Sequence, residues 1–247
     1  MSIRKMLLKF YWFCQKRILP ELRYSQYDYE ELLDKYVDQD TCWLDAGCGR
    51  MILPSWRSRQ EDQLVKRCHV IVGIDSDTTA IGKHRSIKTI SHHDLSNPWP
   101  IEASTFDLIT CNMVLEHLSE PQLFFNECYR ILRPGGRVII HTPNKNNYAV
   151  KFARLIPESI KDKLVKILDG RSGADVYPTL YRANSVDEID SLAASAGFIN
   201  VSFEIVNSTP KLAVIPPLML IELLYIRRLS HPRRTHKRHN ILAVLKK

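Results

Sequence analysis

The sequence predicts an α/β fold built on a mostly parallel sheet, and three observations carry that expectation. Short apolar runs alternate with segments of helical period, the pattern of strands joined by helices. The run at 70–75, Val-Ile-Val-Gly-Ile-Asp, is apolar without alternation, as in a strand buried on both faces. The run through Trp43 and Leu44 passes directly into Asp45-Ala-Gly-Cys-Gly49. The two glycines there allow a tight strand-to-helix turn and leave no Cβ against a ligand.

Residues 1–19 read as a basic amphipathic helix. Ile3, Met6, Leu7, Phe10, Phe13, Cys14 and Ile18 recur at helical spacing, with Arg4, Lys5, Lys9 and Lys16 mostly elsewhere. Lys9 interrupts the apolar run and no small-residue cleavage site follows, so a signal peptide is not expected. The segment is also too short and too charged to span a bilayer. A helix over 25–37 leads to the first strand, 41–45. Pro54 suits a first helical turn, and 60–67 continue as helix. After the second strand, Asp77 or Thr78 caps a helix over 77–84. A third strand near 87–91 runs into His92-His93-Asp94, where exposed loop histidines are expected rather than a metal site. The fourth strand, 106–111, delivers Asn112 to His117 to the ligand-binding edge. Pro121 opens a helix over 121–132 with Leu123, Phe124, Cys128, Ile131 and Leu132 on its apolar side. Arg133-Pro-Gly-Gly136 turns into a fifth strand, 137–142. Ser185 and Glu188 form a capping box for a helix that ends at Gly197.

Composition narrows the partners. Six cysteines without a C-x-x-C pair or metal-ligand spacing read as reduced residues of a cytosolic protein, and no metal is expected. The net charge of +8 is concentrated at the ends: residues 1–25 hold six Lys/Arg against one acid, and 211–247 hold nine against one. This favours an anionic lipid surface or another polyanion over a generally basic nucleic-acid binder, and DNA is not expected. An acid two residues before the first glycine suits a cofactor with a positive group, since a carboxylate can receive an ammonium directly or through water. Asp75, at the end of the second strand, can accept from ribose hydroxyls. The G-x-G-x-x-G dinucleotide fingerprint is missing, because no third glycine follows at the required offset.

Five motifs in order, Leu-Asp-Ala-Gly-Cys-Gly (44–49), Val-Gly-Ile-Asp (72–75), Phe-Asp-Leu-Ile (106–109), Val-Leu-Glu-His (114–117) and Leu-Arg-Pro-Gly-Gly (132–136), resemble the class I S-adenosylmethionine-dependent methyltransferases. The resemblance covers about 40–205 and is to the small-molecule branch that includes quinone-biosynthesis C-methyltransferases and bacterial lipid and polysaccharide-cluster enzymes. It implies a Rossmann-like, seven-stranded, mostly parallel sheet with helices on both faces, with the last strands at 199–206 and 241–245. It also implies S-adenosyl-L-methionine as cofactor. Asp45, Ala46, Gly47, Cys48 and Gly49 would shape the methionine end, Asp75 and Ser76 the ribose, and Asp94 and Leu95 the adenine. Asn112 and Met113 would line the cofactor near the sulfonium. Arg50 stands where many members have a small residue or glycine.

A sulfonium methyl is already electrophilic, so catalysis is largely in-line positioning of the nucleophile, with a base only where the acceptor must lose a proton. His117 is the first candidate base and His141 the second, both near carboxyl ends of strands. The competing reading of His117 is a packing or capping role. The expected organisation is a helical extension, 1–39, and a methyltransferase domain, 40–247, with 143–182 and 207–240 as substrate-side insertions. In the first insertion, Tyr148, Phe152, Leu155 and Ile156 share a helix face. His141, Tyr181 and Arg182 are candidate acceptor contacts, with Arg182 holding a carboxylate or phosphate or forming a structural ion pair. Residues 212–226 are the most apolar stretch but fall short of a span, and Arg227 to Arg238 follow as a basic cluster. Either 1–19 and 212–238 form a face for an anionic membrane, or 212–226 packs over the active site.

The expected activity is methyl transfer to a small-molecule or lipid-linked acceptor, in the cytoplasm or at the inner face of the membrane. RNA or protein methylation is the alternative, although the Asn/Asp-Pro-Pro-Tyr tetrapeptide used for base amino groups is absent. A non-catalytic, membrane-associated cofactor binder is the third reading, opposed by the intact acids and glycines.

Overall fold

The computed structural model describes residues 3–155 and 177–247. In chain order the elements are α1 (Ile3–Ile18), α2 (Gln26–Tyr36), β1 (Cys42–Ala46), α3 (Ser58–Arg67), β2 (Val70–Asp75), α4 (Thr78–Ile81) and β3 (Thr89–His92). There follow β4 (Phe106–Asn112), α5 (Pro121–Ile131), β5 (Leu132–Pro143), α6 (Tyr148–Leu155), α7 (Val186–Ala196), β6 (Asn200–Val206), α8 (Pro216–Leu229) and β7 (Asn240–Lys246). Two compact units form: Gln26–Thr142 with Thr179–Glu204 and Ile241–Lys247, and Met1–Ser25 with Pro143–Pro178 and Ile205–Asn240.

The seven-stranded sheet has the order β3-β2-β1-β4-β5-β7-β6. β1 to β5 pair in parallel, as the unalternating apolar runs lead one to expect. β7 runs antiparallel to β5, because Gly135 N–H bonds the Lys247 carbonyl at one end and Asn144 N–H bonds the His239 carbonyl at the other. Chain order reverses between β1 and β4, and a crevice opens beyond the strands' carboxyl ends at such a switch point. Trp43, Leu44, Ile74, Leu108, Ile109 and Ile140 are buried on the strands, each worth about 1.5–3 kcal/mol when it leaves water.

Two elements differ from expectation for local reasons. β5 starts at Leu132, and Arg133–Gly136 form an irregularity inside it, where the register shifts from Phe106↔Leu132 to Leu108↔Arg137. α4 is one turn long. Asp77 caps it by accepting from the Thr79 and Ala80 N–H groups, but His84 Nδ1 then accepts from the Ser86 and Ile87 N–H groups and turns the chain away. α7 has both expected ends: Ser185 Oγ accepts from Glu188 N–H, and Gly197 is left-handed at φ 106°.

In the second unit, α1 packs on α8 through Tyr11 and Cys14 against Met219, Leu223 and Ile226. The expected apolar face of α1 divides here. Cys14 is buried, whereas Ile3, Met6, Phe10 and Phe13 are exposed. α8 begins with Pro216 and Pro217 in its first turn, where a missing N–H costs no hydrogen bond. Glu222, the lone acid of the apolar stretch, is buried and accepts from the N–H groups of Lys211 and Leu212 and from the Tyr148 hydroxyl. On α6, Tyr148 is half-buried and Phe152 exposed. Ile156 of the expected helix face lies outside the described residues. No described helix is long and apolar enough to cross a membrane.

Candidate active site

The turn after β1 is fixed by its own backbone. Gly47 and Gly49 are left-handed, at φ 76° and 54°. The N–H groups of Gly47 and Cys48 both donate to the Ile74 carbonyl, at 2.8 and 3.2 Å. Gly49 N–H donates to Asp75 Oδ2 at 2.8 Å, and Asp77 N–H to Asp75 Oδ1 at 2.8 Å. The loop therefore has its amides committed within the protein, unlike a loop that cradles a pyrophosphate. A Cβ on Gly47 would stand 2.3 Å from Val114 Cγ2, whereas one on Gly49 would meet nothing within 4 Å. The space left by Gly49, beside carboxylates that suit an ammonium and hydroxyls, fits the expected cofactor.

Asp45 is nearly enclosed, at 3% exposure, and accepts a 2.6 Å hydrogen bond from Thr110 Oγ1. Thr110 in turn receives Trp43 Nε1–H at 2.8 Å. Burial pushes the Asp45 carboxyl up to about 7, with smaller upward contributions from Glu61 and Asp75, while the Thr110 bond pulls it back. A cationic group brought alongside favours the ionised form.

Asn112, at the end of β4, is held on all sides. Its amide exchanges two 3.1 Å bonds with the amide of Gln26, its Nδ2 also approaches the Ile52 carbonyl at 3.4 Å, and its Oδ1 lies 2.9 Å from His141 Nδ1. Since Oδ1 only accepts, Nδ1 of His141 carries the proton. His141 is fully buried and stacks on Tyr29 with ring centroids 5.7 Å apart. Burial lowers its pKa to about 3, so the ring is neutral at physiological pH. The expectation placed His141 against the acceptor, whereas the structure buries it in the core under α2, with Nδ1 on Asn112 Oδ1.

Beyond Asn112 the chain passes through Met113, left-handed at φ 57°, whose N–H bonds the His141 carbonyl at 2.7 Å. A non-glycine residue held there costs about 1 kcal/mol or more. The next turn centres on Glu116. Its buried carboxylate accepts from Thr142 Oγ1 at 3.0 Å, Thr142 receives Asn184 Nδ2–H at 2.7 Å, and burial raises its pKa. The Glu116 carbonyl takes the N–H groups of Leu180 and Tyr181. Half-buried His117 has Nε2 3.9 Å from Glu116 Oε1, and Arg182 Nη1 donates to the Ser119 carbonyl at 2.6 Å. His117, Tyr181 and Arg182 thus gather around one turn, and Tyr181 is itself left-handed at φ 52°.

The other expected cofactor residues lie along β1 to β3. Ala46, Cys48 and Leu95 are buried, Ser76 and Asp94 exposed. The Ser76 carbonyl is 3.0 Å from His92 Nε2, and Asp94 Oδ1 accepts from Ser96 N–H at 2.9 Å. Sequence reasoning missed Gln26, Tyr29, Thr110, Thr142 and Asn184. Thr110 alone carried a signal, as a polar residue inside an apolar strand.

A methyltransferase-domain family model matches residues 22–202. A ubiquinone biosynthesis O-methyltransferase of Aromatoleum aromaticum is 35% identical over 124 residues, which is 47% of this chain and 50% of that protein. One from Psychrobacter arcticus is 29% identical over 164 residues, 63% of this chain and 58% of that protein. The chain spans about half the length of the curated relatives it matches. Among solved structures, an S-adenosylmethionine-dependent methyltransferase from Archaeoglobus fulgidus superposes with a TM-score of 0.55 at 16% identity, covering 96% of this chain and 99% of that one. One from Mesorhizobium loti gives 0.56 at 14%, covering 90% and 98%. At such identities the likeness is one of fold. The family match extends over well more than half of the chain, and the protein belongs to the class I S-adenosylmethionine-dependent methyltransferases.

Proposed function

We propose that the protein methylates an oxygen of a small apolar acceptor, free or lipid-linked, in the cytoplasm or at the inner face of a membrane. One observation carries this reading. The carboxyl ends of β1, β2 and β4 bring the Gly47–Gly49 turn, Asp45, Asp75 and Asn112 to the sheet's switch point. The ubiquinone O-methyltransferase likeness supports the choice of an oxygen on an apolar acceptor. When bound, the cofactor supplies an electrophilic methyl. The chain's own part is to hold and orient. Asp45 takes the ammonium, Asp75 the ribose hydroxyls and Asp94 the adenine amino group. Asn112, immobilised by Gln26 and His141, borders the reacting end. His117, on the turn held by Glu116, receives the acceptor's proton through one of its ring nitrogens.

The test is transfer of labelled methyl from S-adenosylmethionine into a host-cell extract, followed by partition. Label in the organic phase is expected. Label confined to precipitated RNA or protein would overturn the acceptor class and leave the cofactor assignment standing. Near-normal binding of S-adenosylhomocysteine by Asp45→Ala would overturn the site.

A further inference from the structure

We infer that α1 and α8 form a docking surface for an anionic phospholipid bilayer. On α1, Ile3, Met6, Phe10 and Phe13 follow the spacing i, i+3, i+7, i+10 and so share one side of the helix. All four are exposed, Ile3 by 74% and Phe13 by 54%. The helix does have a core-facing side, but a different one: Tyr11 and Cys14 meet α8. The outer row is therefore surplus to folding. α8 repeats the arrangement, burying Met219, Leu223 and Ile226 while exposing Leu218, Ile221 and Leu224, with Ile221 at 64%. A chain has little reason to keep seven large apolar side chains in water on two neighbouring helices.

Charge selects the occupant. α1 contains no acid and carries five cations, Arg4, Lys5, Lys9, Lys16 and Arg17. Arg17 lies over the Phe13 ring at 4.4 Å, so a cation borders the apolar row directly. The end of α8 and the following turn enclose a recess of about 590 Å³ lined by basic side chains, among them Arg227, Arg228, Arg233, Arg234 and Lys237. Glu222, the only acid between 205 and 240, is buried. Large apolar side chains beside cations match acyl chains beneath phosphate headgroups. Another protein surface would have to be both apolar and strongly acidic. Each cation near such a membrane raises partitioning about fivefold.

The inference deepens the membrane part of the proposed function and is tested without turnover, so docking and methyl transfer can fail separately. The full chain is sedimented with vesicles of phosphatidylcholine alone or with added phosphatidylglycerol, at low and high salt. Binding is expected only to the anionic vesicles, weakening with salt. Phe10→Ser/Phe13→Ser should lower it at least about tenfold, and Arg233→Ala/Arg234→Ala should lower it and flatten the salt dependence. Phe10, Phe13 and Arg233 are exposed and Arg234 is half-buried, and unchanged melting would confirm intact folding. Equal binding to neutral vesicles, no binding, or unaltered binding by the Phe10/Phe13 variant would overturn the inference. So would a dimer in sedimentation velocity that Phe10→Ser/Phe13→Ser dissociates, because the row would then belong to a second copy.

Discussion

The carboxyl edge of the sheet and the α1–α8 pair treat their side chains in opposite ways. At the edge, polar groups are tied to one another before any ligand arrives: Asp45 to Thr110, Asp75 to Gly49 and Asp77, Asn112 to Gln26 and His141. On the helix pair, large apolar groups stand in water beside cations. Pre-organisation is useful where a small ligand must be aligned within fractions of an ångström. An uncommitted surface suits a large, fluid partner that needs area and charge rather than alignment. Substitutions at the edge should therefore damage stability and cofactor binding together, and substitutions in the exposed apolar row of the helix pair should damage neither.

The largest effect is expected at Gly47. Gly47→Ala combines a left-handed backbone with a Cβ driven onto Val114, and should cost about 2–4 kcal/mol of stability and abolish measurable S-adenosylhomocysteine binding. Gly49→Ala shares the backbone penalty but not the clash, so it should cost only about 1 kcal/mol while still obstructing the cofactor. Urea titration with calorimetric binding would separate the two. Equal destabilisation would mean that the turn is not braced against Val114.

Asp45 should give the next largest effect, and its signature is pH. The unfolded carboxyl titrates near 3.8 and the folded one near 7. Its contribution to stability is therefore fully present below 3.8 and is lost as pH rises towards 7, where the folded group gives up its proton. Cofactor affinity has the opposite slope, because the ionised form pairs with an ammonium and builds up through about 7. Asp45→Asn should remove both slopes, with weak, pH-independent binding. A wild-type affinity that is flat between pH 6 and 8 would place the ammonium elsewhere.

Gln26→Ala removes two bonds from Asn112 and should cost about 1–2 kcal/mol. Turnover should fall more than cofactor affinity, since Asn112 loses its fixed orientation rather than its identity. Equal losses in kcat/KM and affinity would show that α2 acts on the cofactor itself. At His117, His117→Gln should lower kcat about a hundredfold while leaving S-adenosylhomocysteine affinity unchanged. An unchanged kcat would leave His117 as packing beside Glu116.

What the sequence made legible follows the same division. Strand ends announce themselves: the turn at 45–49 and the acid at 75 are local patterns, and their backbone consequences are local too. The network around Asn112 is not local, because Gln26 lies 86 positions away and sits in a helix whose period reveals only that one side is buried. The burial of His141 is not legible in the sequence, because ending a parallel strand says nothing of what covers the residue, and α2 supplies that cover. The α1 row was legible as apolar and amphipathic. Which part of it would be buried depended on α8, with which it shares no sequence pattern.

The smallest expected effect on the folded molecule is the sharpest test of the contrast. Phe10→Ser/Phe13→Ser removes two exposed rings that contribute nothing to the Tyr11–Leu223 core, so stability should change by less than about 0.5 kcal/mol. Turnover on a detergent-solubilised acceptor should be unchanged. On the same acceptor presented in anionic vesicles, the apparent KM should rise about tenfold with kcat preserved, since the substitution reduces only the time spent at the surface. A fall in kcat in detergent would show instead that α1 supports the chemistry. The two regions would then be one machine, and the apolar row a lid rather than a dock.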